Sequence, residues 1–265
     1  MNALTLDTLR HAAPSIFATS PWGAMSHRYK MVPTVEVIDM LGAEGFLPVR
    51  AMQSRSRIEG KADFTKHLIR LRRASDLNAE VSQEVPELVL VNSHDGTSGY
   101  QLMAGIFRVV CTNGLISKSA DYGSISLRHC GGADFRNRVI DATYRVLDDS
   151  TQAIASANTW KQIGLSAPQQ EAFATAALEL RDNAIVRPAQ LLRAKRMEDR
   201  ESADGSRDLW RTFNTVQEHM VRGGDRGIGS TGRRTTTRAI NSVDGDLRTN
   251  KALWTLASKM AELVS

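Results

Sequence analysis

Residues 88–110 read LVLVNSHDGTSGYQLMAGIFRVV, two apolar runs either side of a polar, glycine-containing stretch, and this pattern decides the fold class. Asp95 brings a side chain that accepts a hydrogen bond from its own backbone, and Gly96 tolerates positive φ, so the stretch predicts an antiparallel hairpin. Upstream, residues 47–58 and 64–73 read as extended segments joined by EGKAD (59–63), a connection with the glycine and charges of a hairpin turn. Alternation sets Phe64, Lys66, Leu68, Arg70 and Arg72 on one face of the second segment and His67, Ile69, Leu71 and Arg73 on the other. A sheet with one packed side and one basic side is the expectation.

Helical signals lie on both sides of these hairpins. Residues 34–46, TVEVIDMLGAEGF, space Val35, Ile38, Met40 and Leu41 for a short amphipathic helix, with Thr34 as N-cap after Pro33 and Gly45 as the stop. After the loop that starts at Asn113 and Gly114, a short strand is expected at 125–128 and a turn at Gly131 and Gly132. Val139, Ile140, Thr143, Tyr144 and Leu147 then form a stripe on a helix running from about Phe135 toward Trp160. Pro168 opens PQQEAFATAALELRD and Pro188 opens AQLLRAKR, each where a missing N–H costs least. MEDRESADGS (197–206) reads as a linker before LWRTFNTVQEHMVR, where Leu209, Phe213, Val216 and Met220 share a stripe. TNKALWTLASKMAEL (249–263) gives a last amphipathic helix. The order predicts an α+β protein, with antiparallel hairpins in the N-terminal half and helices in the C-terminal half. Two domains are expected, an α+β core over 1–165 and a helical region with a basic Gly/Arg loop over 166–265.

The 265 residues are 42% hydrophobic and 24% charged, enough apolar material to bury a core. No apolar run approaches a membrane span and the first residues lack a secretory pattern, so a cytoplasmic protein with no membrane partner is expected. Cys111 and Cys130 match no disulfide framework or zinc spacing and are expected to be reduced and structural. The net charge is +5, and its placement matters more than its size. Between Arg50 and Arg73 eight basic residues face Glu59 and Asp63, a local +6, and from Arg222 to Arg238 five arginines face Asp225 alone, a local +4. The remainder therefore carries −5, and two concentrated basic regions on an acidic chain point to a polyanionic partner.

Residues 227–232, GIGSTG, spell GxGxxG through Gly227, Gly229 and Gly232. A dinucleotide fingerprint needs a strand before it and a helix opening at it, whereas this loop follows a predicted helix. It also fails as a P-loop, because Arg233 and Arg234 stand where Lys and Ser/Thr would be needed. Arginine forks beside exposed backbone N–H groups suit a nucleic-acid phosphate instead. His94, Asp95, Cys111, His129 and Cys130 hold the atoms of a catalytic or metal site, but no ligand or triad spacing links them. Glu198, Asp199, Glu201 and Asp204 read as a solvated stretch. No cofactor, metal site or catalytic residue is expected. Among Tyr100, Phe107, Trp210 and Trp254, packing explains all but Tyr100, which starts a strand beside a turn and stands as the base-stacking candidate.

Three segments, SHRYKMVPTVEVIDMLGAEGF (26–46), VNSHDGTSGYQLMAGIFRVVCTNGL (91–115), and NTVQEHMVRGG continuing through GRRTTTRAI to NKALWTLA (214–257), resemble the phage- and plasmid-borne family catalogued as domain of unknown function 932. The resemblance implies mobile-element biology on intracellular DNA and supplies no catalytic residues. The order of helix, hairpins and long helix also looks like that of Rad52-type single-strand annealing proteins, which need no active site. The leading expectation is a homo-oligomeric phage or plasmid protein that binds single-stranded DNA and promotes annealing. Arg55, Arg57, Lys66, Arg70, Arg72, Tyr100, Arg222, Arg226, Arg233, Arg234 and Arg238 are its candidate contacts. Two alternatives stand beside it: an anti-defence factor whose basic patch meets an acidic host protein, and a DNA-processing enzyme using His94, Asp95 or His129.

Overall fold

A computed structural model of the chain describes residues 2–23, 29–79, 84–108, 124–127, 133–180, 186–195, 197–229 and 231–264. Cys111, the loop from Asn113, His129, Cys130 and the Gly131–Gly132 turn lie outside the described residues. The chain divides into two units, Met1–Gln152 and Ala153–Ser265.

The first unit contains α1 (Leu6–Ala12), α2 (Thr34–Ala43), β1 (Phe46–Gln53), β2 (His67–Arg73), β3 (Glu84–Asn92), β4 (Tyr100–Arg108), β5 (Ser124–Leu127) and the start of α3 (Ala133–Trp160). The strands form one antiparallel sheet in the order β1-β2-β3-β4-β5, so each strand lies beside its sequence neighbour. Leu90 pairs with Leu102 and Val91 with Gln101 across the hairpin that the sequence pattern predicts. Asp95 Oδ1 accepts from the Thr97 amide at 3.1 Å, and Gly96 adopts φ +78°, which completes the turn. The β1–β2 connection is longer than the expected EGKAD turn, because pairing ends at Gln53 and His67.

Ile69, Leu71, Leu88, Leu90, Leu102 and Ala104 point from the sheet into a core closed by Val37, Ile38 and Leu41 of α2 and by Phe135, Val139, Ala142 and Val146 of α3. The opposite face is also buried, at Leu68, Val89, Val91 and Met103. The expectation of one packed and one basic face is thus corrected. An unbroken apolar run such as 88–91 is what burial on both faces requires of a strand.

Gly45 ends α2 region as expected, with φ +84°, but Pro33 rather than Thr34 occupies the N-cap. Thr34 instead turns its hydroxyl into a fully buried polar cluster. His67 Nε2 lies 2.9 Å away, His94 Nε2 3.0 Å, and Asn92 Nδ2 donates at 3.0 Å. A hydroxyl has one hydrogen and two lone pairs. Asn92 donates to it, the Tyr100 hydroxyl lies at 3.3 Å, and the two histidine Nε2 atoms complete its surroundings. His67 Nδ1 sits 3.2 Å from the Thr65 carbonyl and 2.9 Å from Ser15 Oγ. Tyr100 donates its hydroxyl to the Val32 carbonyl at 2.8 Å, and burial pushes that phenol well above its usual range, so it remains neutral.

The second unit contains β6 (Gly164–Leu165), α4 (Ala167–Leu178), α5 (Pro188–Leu191), β7 (Arg207–Asp208), α6 (Leu209–Arg222), β8 (Arg226–Ile228), β9 (Arg234–Thr236) and α7 (Val243–Val264). Trp160, Trp210, Phe213 and Trp254 form its aromatic core, with Trp160 and Trp254 centroids 4.4 Å apart and Trp210 stacked on Phe213. α6 begins at Asp208, whose carboxylate accepts from the Arg211 amide at 2.7 Å, and is buried well beyond its apolar stripe. Gln217 meets Asn250 of α7 at 2.7 Å, which satisfies two amides inside. The helix expected after Pro188 is only one turn long. The expected linker at 197–206 is folded: Asp199 is buried, and Ser202 N donates to the Ser206 carbonyl at 2.7 Å. Among the described residues no helix is long and apolar enough to cross a membrane.

Replacing Thr34 with valine keeps the shape and strips the hydroxyl from four buried partners, His67, His94, Asn92 and Tyr100. The expected loss is roughly 3 kcal/mol in urea denaturation, with Thr34→Ser recovering most of it.

Candidate nucleic-acid interface

The two basic runs fall in different units. In the first unit, Arg55 and Arg57 are exposed on the connection after β1, and Lys66 is half-buried at its far end. Lys61 pairs with Asp95 at 3.1 Å. Burial acts to raise the Asp95 carboxyl, yet hydrogen bonds from the Thr97 hydroxyl and amide, from Ser93 and from Lys61 outweigh it and hold it below the usual carboxylate range.

Arg70 and Arg72 are placed differently from the expectation. Both lie on the second sheet face, buried, and both bond to the single carboxylate of Glu87: Arg70 Nε to Oε2 at 2.6 Å and Arg72 Nε to Oε1 at 2.9 Å. Their guanidiniums serve this interior triad and present nothing to a strand backbone, so they leave the set of phosphate contacts. Burial drives Arg70 below its ordinary range, and Glu87 works against that shift. Tyr100 is withdrawn for the same reason. Its ring is buried at 5.4 Å from Phe135 and its hydroxyl is spent on Val32, so no face is open for a base.

His94 and Asp95 do not form a catalytic pair. The His94 ring is buried on Thr34, whereas Asp95 bonds Thr97 and Lys61. His129 lies outside the described residues. Among the described residues no group of three or more His, Cys, Asp or Glu side chains is arranged to hold a metal ion.

The second basic run builds a hairpin of its own. β8 pairs with β9 antiparallel, Arg226 opposite Thr236 and Ile228 opposite Arg234. The glycine-rich stretch is its turn: Gly229 N donates to the Arg233 carbonyl at 2.8 Å, and Gly232 takes φ +74°. It opens no helix, although strand β8, which the sequence reading does not anticipate, leads into it. At the root, Gly223 caps α6 with φ +64° and passes so close to residue 237 that an added Cβ would sit 2.5 Å from the Thr237 carbonyl. The root is locked to α6 through His219. Its Nδ1 lies 2.6 Å from Asp225 Oδ1 and its Nε2 2.9 Å from the Arg193 carbonyl. Both ring nitrogens face acceptors, so the ring acts as a brace between three segments.

Asp225 is the one acid of this run, and it is turned inward onto His219. Arg226, Arg233, Arg234 and Arg238 are exposed, while Arg222 is bonded to Glu218 at 2.7 Å. Gln190 of α5 donates to the Arg226 carbonyl at 2.9 Å and seats the hairpin against α5. An open cleft of about 720 Å³ runs along it, lined by Arg187, Gln190, Arg226, Ile228, Arg234 and Thr236. A second cavity of about 360 Å³ reaches His219, Asp225, Thr237 and Arg238. Arg187 was missed by counting charge along the chain, because it stands 39 positions before Arg226 and joins the hairpin only through the fold.

Glu87→Gln leaves two buried guanidiniums sharing a neutral amide. The expected cost is about 3–5 kcal/mol in a denaturation midpoint series. Gly223→Ala should lower thermal stability while leaving the helix signal of the rest of the chain in place.

The family model described as "Domain of unknown function (DUF932)" matches residues 21–254. Two curated relatives from Escherichia coli (strain K12), UPF0380 protein YafZ and UPF0380 protein YfjQ, are each 37% identical over 260 residues, covering 97% of this chain and 91% of the relative. No solved structure matches the chain. A match over 21–254 takes in the sheet of the first unit and the arginine hairpin of the second, and the chain belongs to the DUF932 family.

Proposed function

We propose that the protein binds single-stranded nucleic acid through the arginine hairpin of its second unit, and that it promotes strand annealing as an oligomer of phage or plasmid origin. The supporting observation is the segregation of charge at that hairpin: Arg226, Arg233, Arg234 and Arg238 are exposed while Asp225 is turned onto His219. Exposed guanidiniums on a short two-stranded frame, with Arg187 across an open cleft, suit a chain of phosphates. With Tyr100, Trp210 and Trp254 buried, these side chains provide no base-stacking platform, so the reading relies on phosphate contacts and leaves base edges available for pairing. Arg55, Arg57 and Lys66 offer a further basic surface on the first unit. The phage or plasmid setting rests on the family resemblance alone.

The test is anisotropy of a labelled single-stranded oligonucleotide across a salt series, with duplex competitor and light scattering on the same samples. For the paired substitution Arg233→Ala with Arg234→Ala, affinity should fall and the slope of log K against log salt should flatten by about 1.4, near 0.7 for each lost phosphate contact. An unchanged slope removes the hairpin from the interface. Absence of binding at low salt overturns the reading.

A further inference from the structure

The stretch 197–206, whose local pattern reads as a linker, carries a net charge of −3. The fold nevertheless brings Arg193, Arg200 and Arg207 to the walls of one open cleft of about 450 Å³. Arg207 is the unusual member. β6–β7 pairing places it opposite Leu165, one residue before the cap of α6, so its backbone is fixed. Its side chain is 2% exposed, yet only Nη2 is bonded, to the Leu192 carbonyl at 3.1 Å and to Glu201 at 3.3 Å. Nε and Nη1 are buried with no hydrogen-bond partner. A guanidinium carries five N–H donors in a rigid fork, and leaving two of its nitrogens unbonded in the interior is costly unless something else takes them. Burial pulls Arg207 below its ordinary range, with Glu201, Asp199 and Asp208 opposing that shift.

Glu201 is a loose counter-ion. Its contact is long, and its side chain is 46% exposed, so it can leave without opening the core. An incoming oxyanion that took its place at Nη2 would reach a neighbouring unbonded nitrogen of the same guanidinium, which is the two-bond geometry arginine offers to phosphate. Arg193 and Arg200 are exposed on the cleft wall, and the Arg193 backbone is held by His219 Nε2 at its carbonyl.

We propose that the Arg193–Arg200–Arg207 cleft is a phosphate-binding site, with Arg207 as its buried anchor, the two exposed arginines closing on the anion, and Glu201 as the carboxylate that phosphate displaces. Three guanidiniums suit a multiply charged, tetrahedral group better than a carboxylate with two oxygens. The site shares no arginine with the hairpin, so it stands whether or not the hairpin binds a strand.

The experiment is calorimetric titration of the full chain at low salt with inorganic phosphate, followed by competition with 5′-phosphorylated and 5′-hydroxyl single-stranded oligonucleotides. Inorganic phosphate should bind, Arg193→Ala and Arg200→Ala should each weaken it about tenfold, and Glu201→Gln should tighten it. Arg233→Ala with Arg234→Ala should leave it unchanged. Stronger competition by the 5′-phosphorylated strand assigns the site to a strand end, equal competition assigns it to the internal backbone, and no competition assigns it to a small phosphate compound. Each of these supports the site. Absence of phosphate binding, binding untouched by loss of both exposed arginines, or weaker binding in Glu201→Gln overturns it. Because Arg193 and Arg200 are exposed, their variants remain folded controls if Arg207→Gln does not fold.

Discussion

A strand buried on both faces has no solvent side on which to leave charge, and β2 carries two arginines among its apolar residues. Glu87 on the neighbouring strand meets both of them. Removing a charge from water costs several kcal/mol that a close carboxylate offsets only with good geometry, so the register of β2 on β3 is tied to this triad as firmly as to the leucines beside it. A shift of one residue would turn Arg70 and Arg72 into the apolar core and Glu87 away from them.

The same logic runs through the Thr34 cluster on the other side of the sheet. One hydroxyl at the start of α2 meets His67, His94, Asn92 and Tyr100, residues drawn from β2, β3, the turn that follows it and β4. Helix and sheet are thereby joined by directional bonds as well as by packing.

In the second unit the polar contacts do a different job. His219 ties the root of the arginine hairpin to α6 and to the Arg193 carbonyl while turning Asp225 away from the surface. The brace therefore sets both the position of the exposed arginines and the sign of the surface they form. The folded segment 197–206 achieves the reverse, placing carboxylates around a buried arginine that remains only partly bonded.

Composition, periodicity and turn chemistry determined the order of elements: the Asp95–Gly96 hairpin, the helix ending near Gly45, the long helix to Trp160 and the helix from Leu209 are local features, written in spacings of two, three and four residues. The concentration of arginine at 222–238 was equally legible, since it needs only counting. What the tertiary structure decided is which of these residues face out. Alternation gives the two faces of a strand but not whether both are covered, so Arg70, Arg72 and Tyr100 looked available and are buried. Arg187 and the Arg193–Arg200–Arg207 cleft were invisible for the complementary reason: their partners are distant in sequence or masked by neighbouring acids, and an electrostatic surface depends on distances through space that only packing sets.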